Sequence, residues 1–124
     1  MKPEEREQIA LIEWAHLHDD IWPYLIHVRN EGKRSVAEGA KAKRMGLMKG
    51  VSDLFLARPR WELENNLKAG LWIELKSKKG RLTPSQNKFL DLMESTGYMA
   101  SVAYSWTDAA NAILEYLGKP LQKF

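Results

Sequence analysis

Leu71-Trp-Ile-Glu-Leu-Lys76 is the stretch on which the reading turns, because its aliphatic residues occupy every second position. Such alternation makes a β-strand, with Leu71, Ile73 and Leu75 on one face and Trp72, Glu74 and Lys76 on the other. Upstream, Ser52-Asp-Leu-Phe-Leu-Ala57 reads as a second strand, joined to the first by a polar connection that opens at Arg58-Pro59 and ends at Gly70. Antiparallel pairing of Ala57 with Leu71 gives opposed residues a constant index sum of 128. Asp53 then falls opposite Leu75, between Glu74 and Lys76 along the hairpin. Two carboxylates and one ammonium thus converge on one place.

Outward from this hairpin the chain punctuates itself clearly. Residues 3–18 read as a helix, with Pro3 suited to a first turn and Glu4, Glu5 and Glu7 complementing its positive end. Tyr24–Arg29 is a short β-rich run closed by the turn signal Asn30-Glu-Gly32. Ser35 caps a second helix to about Met45, with Glu38 placed for a capping box, and Gly46 and Gly50 bracket an elbow. Thr83-Pro-Ser-Gln86 starts a third helix whose Phe89, Leu90, Leu92 and Met93 are expected to face inward. After Gly97 come a strand over Tyr98–Tyr104 and a helix over Thr107–Leu117. The order α-β-α-β-β-α-β-α, without repeat or linker, predicts one α/β domain over residues 1–124 with a mixed sheet flanked by helices.

Composition narrows the function classes. The 124 residues are 44% hydrophobic and 28% charged, enough for one core and too apolar for disorder. No apolar run approaches the roughly 20 residues that cross a bilayer, and Met1–Glu7 is unlike a signal peptide. Cysteine is absent, which removes disulfides, thiolate metal sites and cysteine nucleophiles. The expectation is an intracellular, cytoplasmic protein with no membrane partner. No phosphate-binding GxxxxGK[ST] loop, dinucleotide GxGxxG or HExxH helix is present, so no organic cofactor is expected. His16, His18 and His27 share no ligand spacing and are expected to be partly buried structural residues.

Charge is concentrated rather than spread. Residues 21–49 hold seven bases against two acids, and the stretch 76–81 adds Lys76, Lys78, Lys79 and Arg81 with no acid. Two such segments point to a polyanion partner, the alternative being ordinary solvated faces. The acids near Lys76 point to a reaction on such a partner. Adjacent carboxylates repel, so both stay ionised only beside a cation. A small oxygen set suits Mg2+, which takes further ligands from water and phosphate. Asp53, Glu74 and Lys76 therefore make a workable site for phosphodiester hydrolysis, against the alternative of a surface Glu74–Lys76 ion pair.

The larger pattern is Gly50-Val-Ser-Asp53, Ile73-Glu-Leu-Lys76, a basic turn and Thr83-Pro-Ser-Gln86. With Gln8 and Trp14, Asn30 through Arg34, Gly46 through Gly50 and Gly97, it resembles the virus-type replication-repair nuclease (VRR-NUC) domain of the PD-(D/E)XK superfamily. The resemblance runs from about Glu4 to Leu117 and implies a restriction-endonuclease-like core and a divalent-metal-dependent DNA endonuclease using Mg2+ or Mn2+. Carried over, Asp53 and Glu74 hold the metal with the backbone carbonyl of Leu75, Lys76 serves the attacking water, and Gln86 is the family glutamine. Gln86 is equally explained as the partner of Thr83 in a capping box. Ser52 stands where the family usually has proline, which shapes backbone and supplies no chemistry. A first-helix contributor is also implied, and Glu4, Glu7 and Gln8 all remain open for that role.

On this reading Lys33, Arg34, Lys41, Lys43 and Arg44 on one side, and Lys78, Lys79 and Arg81 on the other, hold backbone phosphates. Stand-alone members imply a homodimer acting on branched DNA such as four-way junctions, in a bacterial or phage-infected cell. Trp22-Pro-Tyr24 and the connection around Trp61 are the expected interface. Trp72 is expected to pack beneath the first helix. The competing functions are a catalytically silent nucleic-acid-binding module of the same fold and an interaction protein with merely solvated charge.

Overall fold

A computed structural model describes residues 1–29, 35–61 and 66–124. In chain order the elements are α1 (Pro3–Ala15), β1 (Leu25–His27), α2 (Val36–Arg44), β2 (Leu54–Leu56), β3 (Arg60–Trp61), β4 (Leu67–Lys68), β5 (Leu71–Leu75), α3 (Pro84–Ser95), β6 (Met99–Ala103) and α4 (Trp106–Tyr116). A 3-10 turn at Trp22–Tyr24 follows α1, which stops at Ala15 rather than residue 18. The strands form a mixed sheet of order β1-β2-β5-β6, antiparallel except for the parallel β5–β6 pair. A parallel pair needs a long crossover, and α3 supplies it.

The alternation in β5 sorts the layers. Leu71, Ile73 and Leu75 join Leu54 and Leu56 in a core closed by Leu11, Trp14 and Ala15 of α1 and by Ala109, Ala110, Ile113 and Leu114 of α4. Each aliphatic side chain buried there contributes about 1.5–3 kcal/mol. The opposite face carries Phe55, Trp72 and Tyr98 under α3, with the Trp72 and Phe89 rings 5.0 Å apart and nearly perpendicular. Trp72 therefore packs beneath the third helix and not the first. The expectation failed because strand alternation separates two faces without saying which helix covers each. Of the four residues expected inward on α3, Phe89 and Leu90 are buried and Met93 is half-buried, whereas Leu92 is exposed.

The polar connection between β2 and β5 holds a two-stranded ribbon, β3 paired antiparallel with β4. It has too few residues to show a period. Arg60 anchors it, donating to the carbonyls of Glu115 and Tyr116 at the end of α4. Beyond α4 the tail folds back. Gln122 accepts from the Trp14 indole at 3.1 Å and exchanges two hydrogen bonds with Asn111.

The register differs from the expected one by a single residue. Leu56, not Ala57, lies opposite Leu71, so opposed residues sum to 127. Ala57 instead donates its N–H to Tyr24 on the β1 side. Gly70 lies against the Phe55 ring, which a Cβ at that position would meet at 2.5 Å. Directly opposed residues share a face, so a sum of 128 would have placed Asp53 with Leu75 on the core side. The observed register places Asp53 beside Glu74, on the α3 side.

Candidate active site

Asp53, Glu74 and Lys76 line one cleft of about 220 Å³ at the C-terminal end of β5. Asp53 follows the Gly46–Gly50 elbow and precedes β2, and its Oδ2 accepts from the Leu75 N–H at 2.8 Å. The side chain thereby continues the β2–β5 ladder past its last backbone pair and is held in place. In an extended strand the N–H and C=O of one residue point to the same side. Lys76 donates its N–H to Ala103 on the β6 side. Leu75 therefore presents its carbonyl toward the Asp53 edge, where a metal could use it.

Glu74 is only 3% exposed. That excludes the alternative of a solvated surface ion pair. Its Oε1 is buried with no hydrogen-bond partner among the described residues. Burial first, then hydrogen bonding and charge repulsion from Asp53, push its pKa up to about 9, with Lys76 opposing and Glu4 adding to the rise. Without a cation the Glu74 carboxyl is therefore protonated at neutral pH, beside Asp53.

The first helix resolves into three separate roles. Glu4 lines the cleft and accepts from the Ser77 N–H at 3.3 Å. Glu7 turns away and accepts from the Trp106 N–H at 2.8 Å, satisfying an orphan donor at the start of α4. Gln8 meets His27, with its amide nitrogen 3.1 Å from Nδ1. The same Nδ1 is 3.2 Å from the Asp53 carbonyl, and one tautomer serves each contact. His27 and His16 are exposed, not partly buried as expected, while His18 is half-buried against the Trp14 ring. The adjacency of His27 to Asp53 was missed, since it follows only from the β1–β2 pairing that sets His27 opposite Leu54.

The start of α3 forms the far wall. Thr83 and Gln86 make the full capping box, with Gln86 Oε1 accepting from the Thr83 N–H at 2.9 Å. Gln86 also lines the cleft, as do Thr83 and Ser85. The helix is brought this close by Gly50, whose φ is +87° and whose absent Cβ would sit 2.5 Å from the Ser85 carbonyl carbon. Lys49 lines the cleft as well, a cation counted in the basic run over 21–49 but not expected among the site residues. The elbow glycines on either side of it were the available signal.

Among the proposed phosphate contacts, Lys41, Lys43 and Arg44 are exposed on α2, and Lys78, Lys79 and Arg81 are exposed on the turn after β5. Lys33 and Arg34, with the turn at residues 30–32, lie outside the described residues. Among the described residues no three His, Cys, Asp or Glu side chains form a metal cage by themselves. No helix among them is long and apolar enough to cross a membrane.

A mixed sheet flanked by helices, with paired acids and a lysine at one strand end, is the architecture of the PD-(D/E)XK nuclease class. The VRR-NUC domain model matches residues 2–106, and the chain belongs to that family of nuclease-type domains. A VRR_NUC domain protein of known structure is similar over 100% of this chain and 93% of its own length, with 26% identity and a TM-score of 0.80. No match was found among curated proteins.

Proposed function

We propose that the protein is a divalent-metal-dependent DNA endonuclease, with Asp53, Glu74 and Lys76 as its catalytic set. The observation that carries this is the Asp53–Glu74 pair: two facing carboxyls, one of them almost wholly buried with an oxygen unpartnered. A stable fold does not keep such a group without return, and a cation would satisfy the orphaned oxygen. The donor set fits Mg2+ or Mn2+, because two carboxylates and the Leu75 carbonyl leave the remaining positions to water and phosphate. When bound, the ion supplies positive charge against the phosphate oxygens and makes a neighbouring water easier to deprotonate.

The chain's own residues do the rest. Asp53 is pre-oriented by the Leu75 N–H, and Glu74 by burial between Asp53 and Lys76. The Lys76 ammonium faces the reacting phosphate and water, where it stabilises negative charge developing on the phosphate. Glu4 and Gln86 complete the rim that positions that water, and Lys49 meets the flanking phosphate. Exposed bases on α2 and on the turn after β5 hold backbone phosphates on either side.

The substrate is branched DNA cut by a two-fold dimer. Trp22, Tyr24, Ile26, Trp61 and Leu67 are each more than two-fifths exposed on β1, the turn before it and the ribbon, the kind of aromatic surface a self-complementary interface uses.

Asp53→Asn and Glu74→Gln each remove one metal-holding charge at constant volume. Both should lower cleavage by at least about 10²–10³-fold while DNA retention persists. Normal activity in either purified variant would falsify the assignment. DNA retention with no cleavage by the unaltered protein in Mg2+ or Mn2+ would assign the silent binding module instead.

A further inference from the structure

We infer that the groove between the end of β1 and α2 is a subsite for one unpaired nucleobase beside the scissile phosphate, an inference that rests on the nuclease reading above. The groove has a volume of about 580 Å³, against about 220 Å³ for the candidate active-site cleft. Val51 lines both, so the two spaces share a wall two residues from Asp53. A nucleotide whose phosphate lies in the smaller space can reach the larger one with its base.

The walls match that occupant chemically. Glu38, Lys41 and Ala42 on one face of α2, with Met45 capping its end, recur at three- and four-residue steps and line the groove. None of the residues of α2 is buried, so among the described residues the face that a core helix would close against a neighbour stays open. Half-buried Leu47 and Val51 provide an apolar floor with Met48 at its rim, and among the described residues Arg29 with Lys41 outweighs the carboxylate of Glu38. An apolar slot edged by net positive charge suits a flat ring attached to an anion, which describes a nucleotide. Thioethers make favourable contacts with aromatic rings and adapt to several shapes, so Met45 and Met48 accept any of the four bases. A stacked and paired base cannot enter, whereas an unpaired one can swing out of the helix at small cost. The groove thus selects DNA with an unpaired nucleotide at the cut, without reading sequence.

The test is fluorescence-anisotropy titration of the full chain in EDTA, which holds chemistry off. Two duplexes are compared that differ only at one unpaired nucleotide, carrying adenine or an abasic sugar. Adenine DNA should bind about tenfold tighter, as expected for burying one ring against apolar side chains. The paired substitution Met45→Glu with Met48→Glu should shrink that ratio to within about twofold. The two side chains are 78% and 61% exposed, and unchanged thermal unfolding would verify the fold. Equal affinity for the two DNAs, with both retained, would overturn the subsite and leave the nuclease reading standing. No retention of either DNA would overturn the subsite, and cleavage in Mg2+ or Mn2+ would then decide the nuclease reading separately. Self-association that is lost in the Met variant while base discrimination survives would give the groove to a second copy of the chain and overturn the subsite.

Discussion

Glu74 concentrates the account at the scale of single residues, and its titration has a sign that can be worked out. Its carboxyl keeps its proton to about pH 9 in the folded, metal-free protein, whereas in the unfolded chain it loses it near 4.5. Between these values the native state holds the extra proton, so stability falls as pH rises. Thermal unfolding in EDTA should therefore show a midpoint that decreases from pH 5 to pH 9. Glu74→Gln should flatten that slope and be the more stable protein at pH 8, although it is expected to lose cleavage. A wild-type midpoint indifferent to pH would contradict the buried-carboxyl reading. Ser52 offers a second residue-scale check. It is fully buried with its hydroxyl unpartnered among the described residues, at the position where the family usually has proline. Ser52→Ala should cost nothing and gain up to about 1 kcal/mol in denaturant unfolding. Lys76→Ala should lose turnover by about 10²-fold yet keep metal affinity by calorimetry, because its proposed place is at the phosphate. Glu74 and Lys76 were legible as a pair because alternation along a strand forces them onto one face, whereas the expected register would have turned Asp53 to the other face, and only the family resemblance grouped it with them. The burial of Glu74 was not legible, since it depends on what α3 and the elbow bring over it.

Among the elements, the β2–β5 hairpin and the start of α3 set the geometry, and each was only partly readable. The existence of the hairpin follows from two alternating runs. Its register does not, because a connection containing an unrecognised ribbon leaves the first pair undetermined by one residue. Gly70 packed on the Phe55 ring and the Ala57–Tyr24 hydrogen bond decide it, and both are tertiary facts. The helix caps, by contrast, are local: Thr83 exchanges bonds with Gln86 as a full capping box, whereas Ser35 accepts from the Glu38 N–H, which is the half of its expected box that α2 shows. Gln86 can now have its two roles separated. Gln86→Glu preserves the capping box, so unfolding should shift by less than about 0.5 kcal/mol, while added negative charge in the cleft should depress cleavage. Equal activity would leave Gln86 a cap alone. Gly50→Ala should be costly on two counts, the left-handed backbone and the collision with Ser85. A loss of more than about 2 kcal/mol with a displaced α3 start is expected, measurable by denaturant unfolding and hydrogen exchange at Gln86.

Over the whole molecule, the proposed DNA contacts and the proposed dimer rest on exposed charge and exposed aromatic surface. Basic side chains on α2 and on the turn after β5 are exposed, and both runs were visible in the sequence. Which acid of α1 reaches the cleft was not visible, because Glu4 and Glu7 share a helix side and part only where Ser77 and the start of α4 compete for them. Sedimentation at micromolar concentration should give twice the 14.3 kDa chain mass, and Trp61→Glu should return it to monomer. The central claim is hydrolysis of DNA at the Asp53–Glu74–Lys76 cleft, and a cleavage panel tests it most directly. Single-stranded, duplex, flap and four-way DNA would each be incubated with the purified chain in Mg2+, Mn2+ or EDTA, beside the Glu74→Gln variant. Cutting of branched DNA is expected only with the divalent ion and only by the unaltered chain. Cutting that persists in EDTA, or equal cutting by Glu74→Gln, would contradict the central claim.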